Sequence, residues 1–160
     1  MKMKIKVLHP EEKAKWDAFV SVAVRLVTRN RWTTYRQHQR RFVRFVDHLL
    51  QRYGDAPRLL ATRADMMQRG LAKLPYLERA YRGAVARRDR QEMVLTAHSI
   101  AQIHLERRQT DLATVWVKRL RKNLAHHRDQ IWSRDCSDME KRLKEMRTRK
   151  SRLPRVPLGT

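Results

Sequence analysis

The scarcity of helix-breaking residues is the strongest constraint that this sequence places on its fold. The 160 residues include four glycines and five prolines, and three of the prolines, Pro75, Pro154 and Pro157, fall at a segment break or near the C-terminus. Long stretches therefore run without a breaker, which favours helices. Because hydrophobic residues make up 41% of the chain, these stretches can bury enough apolar surface to fold. We expect an all-α protein.

Apolar spacing and capping residues predict a single bundle of about six or seven helices. The first helix begins at Pro10, with Glu11 and Glu12 in its first turn, and ends near residue 29. Pro75 is expected to close the third helix, and a fourth follows from residue 76. Residues of the N-cap type are predicted to open the other helices at Thr34, Thr62, Asp89, Thr110 and Ser137.

The connections after residue 75 are short, so the helices there are expected to form antiparallel hairpins. We predict four regions along the chain. They are a short extended arm over residues 1–9, the helical bundle over 10–130, a basic helix over 131–150 and an extended basic tail over 151–160.

The second helix has the clearest pattern. In "TTYRQHQRRFVRFVDHLLQRY", residues 33–53, a turn of about 100° per residue separates an apolar sector from a basic one. The apolar sector contains Tyr35, Phe42, Phe45, Val46, Leu49 and Tyr53. The basic sector contains Arg36, Arg40, Arg41, Arg44, His48 and Arg52. The pattern predicts a helix that packs by one face and exposes a basic stripe on the other. Thr34 with Gln37 is predicted to form its capping box.

Net charge indicates the class of partner. The chain has 38 lysines and arginines against 16 acidic residues, a formal charge of +22. A protein with this charge attracts polyanions, of which nucleic acid is the first expectation and an anionic membrane the second. Arginine predominates over lysine, and a guanidinium binds phosphate through two N–H groups at once. A GC-rich genome explains the preference for arginine equally well, but it does not explain the excess over acid.

Three basic patches are candidate nucleic-acid-binding sites. The first is on the second helix, where Arg36, Arg40 and Arg44 form a row about 12 Å long at a rise of about 1.5 Å per residue. The full candidate set is Arg36, Arg40, Arg41, Arg44, Arg52, Lys118, Arg121, Lys122, Lys141, Arg142, Lys144, Arg147, Arg149 and Lys150. The alternative for each patch is an ordinary solvated face.

Trp32 is a candidate for stacking on a base, with a hydrophobic staple between the first two helices as the alternative.

Histidine spacing offers no His-x3-His pair, so we expect no metal and no other cofactor. Neither a glycine-rich phosphate loop nor a nucleophile motif occurs, so no catalytic residue is assigned and we expect a protein that is not an enzyme. Asp135, Asp138 and Glu140 are interpreted as acids at the start of a helix.

Residues 33–74 resemble the N-terminal core-binding domain of tyrosine recombinases. The resemblance lies in "TTYRQHQRRFVRFVDHLL" followed by "LLATRADMMQRGLAKL". In that family a Thr and a Tyr open a helix with paired Phe positions, here Thr34, Tyr35, Phe42 and Phe45. A Thr-x-x-Asp cap, here Thr62 and Asp65, opens the next helix. The resemblance implies a DNA-binding module of a mobile element, without the catalytic domain.

In size, helicity and charge the chain is also similar to the small helical subunits of multi-subunit CRISPR effector complexes. That similarity implies a non-catalytic subunit of a ribonucleoprotein in antiviral defence, which holds guide RNA or the target strand. We favour this function, with the recombination module as the alternative. Expected partners are RNA or single-stranded DNA, other subunits of the complex and further copies of the chain. With one cysteine and no long apolar run, we expect a cytoplasmic protein that does not bind membranes.

Overall fold

The computed structural model describes residues 8–67, 70–126 and 129–152, with only the helical backbone for 149–152. The predicted all-α fold is confirmed, since the described residues form seven helices and no strand. The helices are α1 (Pro10–Thr28), α2 (Trp32–Tyr53), α3 (Pro57–Asp65), α4 (Gly70–Arg87), α5 (Arg90–Glu106), α6 (Thr110–Leu124) and α7 (Gln130–Arg152). The predicted arm over 1–9 lies outside the described residues except for 8 and 9.

The helices group into two compact units, with the boundary between Gly83 and Ala84 in α4. The predicted division of the chain into four regions stays a prediction; the regions are 1–9, 10–130, 131–150 and 151–160. Helix α7 already includes residues 151 and 152, so the predicted extended tail does not begin at 151. Residues 153–160 lie outside the described part of the chain.

In the first unit, α2 packs against α1 and α3. Its buried residues are Phe42, Phe45, Val46 and Leu49, which confirms the predicted apolar sector. Trp16 of α1 meets Phe42 edge to face at a centroid distance of 5.0 Å, and Phe19 stacks on both phenylalanines. These contacts fix α2 by its apolar face and leave the opposite face in solvent.

In the second unit, α5 packs against α6 and α7, and α6 packs against α7. Ile100, Ala113, Val117, Leu120 and Cys136 contribute fully or almost fully buried side chains. The predicted cap at Asp89 is confirmed, because its carboxylate accepts a hydrogen bond from the backbone N–H of Glu92 at 3.1 Å. The prediction that a helix begins at Thr110 is also confirmed.

Three of the helix starts predicted at N-cap residues are wrong. Helix α2 begins at Trp32 with Arg31 as N-cap, so Thr34 and Gln37 do not form a capping box. The chain ends α1 in a left-handed turn at Asn30 (φ 54°) and enters α2 at once. Helix α3 begins at Pro57, which places Thr62 and Asp65 in its last turn.

The third wrong start concerns α7, which begins at Gln130 rather than at Ser137. Asp129 is the residue that caps it, since its carboxylate accepts from the N–H groups of Ile131 at 3.0 Å and Trp132 at 3.2 Å. The prediction that Pro75 closes the third helix and that the fourth follows from residue 76 is also wrong. Helix α4 begins at Gly70 and Pro75 lies inside it, where its missing N–H removes one bond to the carbonyl four residues earlier without ending the helix.

Candidate nucleic-acid interface

The basic face of α2 is formed by the side chains that its packing leaves outside. Arg36, Arg40, Arg41 and Arg44 are all exposed, whereas the neighbouring Phe42 and Phe45 are buried. Within the described part of the chain, none of these four arginines has an ion-pair or hydrogen-bond partner for its guanidinium. The four side chains therefore form a solvent-facing surface, which we call the α2 basic row.

The absence of nearby acids explains why the α2 basic row has no partners. Residues 18–46 contain seven arginines and no aspartate or glutamate. The first acid after them, Asp47, accepts a hydrogen bond from Nε of Arg63 on α3 at 2.7 Å. Arg25, Arg29 and Arg31 belong to the same acid-free segment and are exposed. Sequence reasoning missed these three arginines, although the gap between acidic residues was a signal that could have found them.

Arg52 lies on α2 but differs from the α2 basic row. Its Nη1 lies 2.9 Å from Oε1 of Glu12 on α1, and its guanidinium lies over the ring of Tyr53. Tyr53 also donates a hydrogen bond from its hydroxyl to Glu12, and this bond is the main cause of a lowered pKa for the Glu12 carboxyl. Arg52 therefore joins α2 to α1, while it remains about half exposed.

Trp32 lies in the first turn of α2 and is 52% exposed. Its indole meets the ring of Tyr35 edge to face at a centroid distance of 6.0 Å. Because Trp32 and Arg36 are four residues apart on one helix, they share a face. The structure thus places the candidate stacking residue beside the α2 basic row, with part of its ring open to solvent.

The second unit carries the other candidate cations, and two of them bind within the protein. Arg121 donates to both carboxylate oxygens of Glu140 on α7, at 3.0 and 2.6 Å, and to the hydroxyl of Ser137 at 3.1 Å. The hydrogen bond to Glu140 is the main cause of a raised pKa for Arg121. Arg147 donates to Oγ1 of Thr114 at 2.8 Å. These contacts join α6 to α7.

The remaining candidates in this unit are exposed lysines and one arginine on α6 and α7. They are Lys118, Lys122, Lys141, Arg142 and Lys144. The side chains of Arg149 and Lys150 lie outside the described residues. Lys118, Lys144 and Arg147 line one shallow groove of about 330 Å³ between α6 and α7.

Two histidines of the second unit, His104 buried and His98 partly buried, hold structural positions. His104 is bonded through Nδ1 to the side chain of Gln109 at 2.7 Å, at the turn between α5 and α6. His98 lies 3.6 Å from Asp135 and meets Trp132 edge to face. Burial lowers the pKa of His98, and Asp135 opposes the shift. Trp132 is part of α7.

Among the described residues, no group of three or more His, Cys, Asp or Glu side chains is arranged to hold a metal ion. A search of the same residues finds no helix with the length and apolar character that crossing a membrane requires. Comparison with known protein families, curated proteins and solved structures finds no match to this chain.

Proposed function

We propose that this protein binds nucleic acid through the α2 basic row, as a non-catalytic subunit of a ribonucleoprotein assembly. The observation that carries the proposal is the set of four exposed guanidinium groups without partners among the described residues. A guanidinium that is not bound to a carboxylate can bind phosphate with both N–H edges and displaces only water and counterions in doing so.

The geometry favours contact with the phosphate backbone over reading of base sequence. The row from Arg36 to Arg44 is about 12 Å long, because the helix rises about 1.5 Å per residue. Contacts of this kind position a nucleic acid but carry no sequence information. We therefore expect affinities that depend weakly on sequence and strongly on salt.

Membership of an assembly is proposed from the charge of the chain. A net charge of +22 makes copies of the protein repel one another in solution. That repulsion is offset by bound RNA or single-stranded DNA, by partner subunits with acidic surfaces, or by both. Further copies of the chain can then lie side by side along one nucleic acid strand.

The test is binding of fluorescent single-stranded RNA, single-stranded DNA and duplex DNA across a salt series. The test variant is Arg36→Gln/Arg40→Gln/Arg44→Gln. Each lost phosphate contact reduces the slope of log affinity against log salt by about 0.7–0.9, so we expect a reduction of about 2–3 for the triple variant, alike for all sequences. Circular dichroism checks that both proteins are equally helical.

The matched control is Arg87→Gln/Arg107→Gln/Arg134→Gln, which removes the same charge from exposed positions outside α2. We expect it to keep the parental salt slope. Equal slopes for parent, test and control proteins would remove α2 from the interface. Tight, salt-resistant binding to one duplex sequence would instead favour the recombination module.

A further inference from the structure

The groove between α6 and α7 combines an apolar floor with a cationic rim. Val117 and Leu143, which are almost fully buried, lie at its base. Lys118 on α6 and Lys144 on α7 line the groove and are exposed, and Arg147, which donates to Thr114, lines it as well. This arrangement differs from the α2 basic row, in which all the cations come from one helix.

The electrostatics of the groove favour an anion. Three cations line it, together with one carboxylate, that of Glu140. Both oxygens of this carboxylate already accept hydrogen bonds from Arg121, so its charge is offset within the protein. The ammonium groups of Lys118 and Lys144 have no ion-pair partner among the described residues. An incoming phosphate thus meets two free cations and the remaining N–H groups of Arg147.

The size and the apolar floor of the groove indicate a ligand that is larger than a single phosphate group. A volume of about 330 Å³ lies within the range of small-ligand sites, about 300–1,000 Å³, and exceeds what one phosphate group needs. The aliphatic stems of Lys118 and Lys144, together with the small exposed parts of Val117 and Leu143, offer apolar contact to a sugar or to the edge of a base. We propose that the groove binds one nucleotide unit of a single-stranded nucleic acid, with its phosphate on Lys118, Lys144 and Arg147.

This inference rests on the proposed function, since it takes nucleic acid as the ligand, and it adds a second site and a preference for single strands. In a duplex the bases are stacked and paired, so a duplex offers only phosphates to the rim of the groove. An unpaired nucleotide can turn its sugar or base toward the floor while its phosphate stays on the rim. The groove therefore discriminates by strandedness, whereas the α2 basic row does not.

The experiment compares Lys118→Gln/Lys144→Gln with Lys122→Gln/Lys141→Gln. Both variants remove two lysine charges, one from α6 and one from α7, and only the first pair lines the groove. Affinities are measured for a single-stranded RNA and for the duplex of the same sequence, at one salt concentration. We expect the groove variant to bind the single strand about tenfold more weakly than the control variant does, and the duplex equally.

Equal losses in the two variants, or losses that are the same for single strand and duplex, would overturn the groove site and leave the proposed function standing. If the parent protein binds no nucleic acid, the proposed function fails. In that case a titration with adenosine monophosphate, followed by amide chemical shifts, decides the groove separately. Shifts confined to residues around Thr114 and Leu143 that vanish in the groove variant would support a phosphate-bearing ligand there, and no shifts would overturn it.

Discussion

Gly54 joins α2 to α3 in a backbone conformation that only glycine adopts without strain. Its φ is 64° and its ψ is −150°. Its N–H donates to the carbonyl of Leu50 at 2.9 Å, which closes α2, and its carbonyl accepts from the N–H of Ala56 at 2.8 Å. Helix α3 begins at Pro57, directly after Ala56. We predict that Gly54→Ala destabilises the protein.

The magnitude follows from the backbone alone, because a Cβ at Gly54 meets no atom within 4 Å. Holding an L-residue in this region costs about 1–3 kcal/mol. Alanine also restricts the unfolded chain, which returns about 0.4–1 kcal/mol of stability. The expected net loss is therefore about 1–2 kcal/mol, or about 2–8 °C in melting temperature for a chain of this length.

The assay is thermal and urea unfolding followed by circular dichroism. Arg108→Gly is the reverse case, because Arg108 has a positive φ of 56° at the end of α5 and glycine relieves strain there. We expect its melting temperature to equal or exceed that of the parent protein. A Gly54→Ala protein as stable as the parent would refute the reasoning, since it would show that the chain joins α2 to α3 through an ordinary conformation.

Two further changes test the second unit. Asp129→Ala removes the cap of α7 and is expected to cost about 1 kcal/mol in urea unfolding. The control is Asp138→Ala, which changes an exposed aspartate of the same helix without a partner among the described residues; equal losses would contradict this assignment of the cap. Because burial lowers the pKa of His98 below its ordinary 6.5, the unfolded chain binds a proton more readily than the folded one, and stability falls as pH drops from 6.5 through the lowered pKa. His98→Asn is expected to flatten the urea midpoint over that range, and an unchanged pH dependence would show that His98 is not its source.

Helical periodicity was sufficient to predict the elements with one long apolar face. The sector of α2 that contains Phe42, Phe45 and Leu49 was identified from spacing alone, because burial of a whole face is repeated over several turns. The cap at Asp89 was identified for a different reason. Aspartate has a short side chain that can accept a hydrogen bond from the backbone of the first turn, and Glu92 follows three residues later, as is typical of a helix start. These signals are local and mutually consistent.

Three of the four helix starts predicted at threonine or serine were wrong, because a hydroxyl followed by a polar residue also occurs inside helices. At Thr62 the rigid φ of Pro57 begins the helix earlier. Before α2, Asn30 adopts the left-handed conformation that sequence rules assign mainly to glycine. In the last turn of α3, the carbonyl of Thr62 accepts a hydrogen bond from the N–H of Met66 at 3.3 Å. Competing local signals of similar strength cannot be ranked without the tertiary packing.

The sequence alone could not predict which arginines are paired with an acid within the protein, although the distribution of acids along the chain indicated part of it. Arg121 and Glu140 are 19 residues apart and meet only because α6 packs on α7. Arg44 is likewise an exposed arginine on a helix, but it lies in a segment without acids. The packing of α6 on α7 decides that Arg121 is bound within the protein.

That difference has an energetic consequence for binding. An arginine that is paired on the surface loses about 0.2–1 kcal/mol of existing interaction when it turns to a phosphate, while an arginine of the α2 basic row loses only solvent and counterions. Substituting Arg121 should therefore weaken nucleic-acid binding less than substituting Arg44, and it should also loosen the contact between α6 and α7. A net charge of +22 is spread over the whole chain, but the guanidinium groups that are free to act on a polyanion are concentrated where the sequence has no acid to bind them.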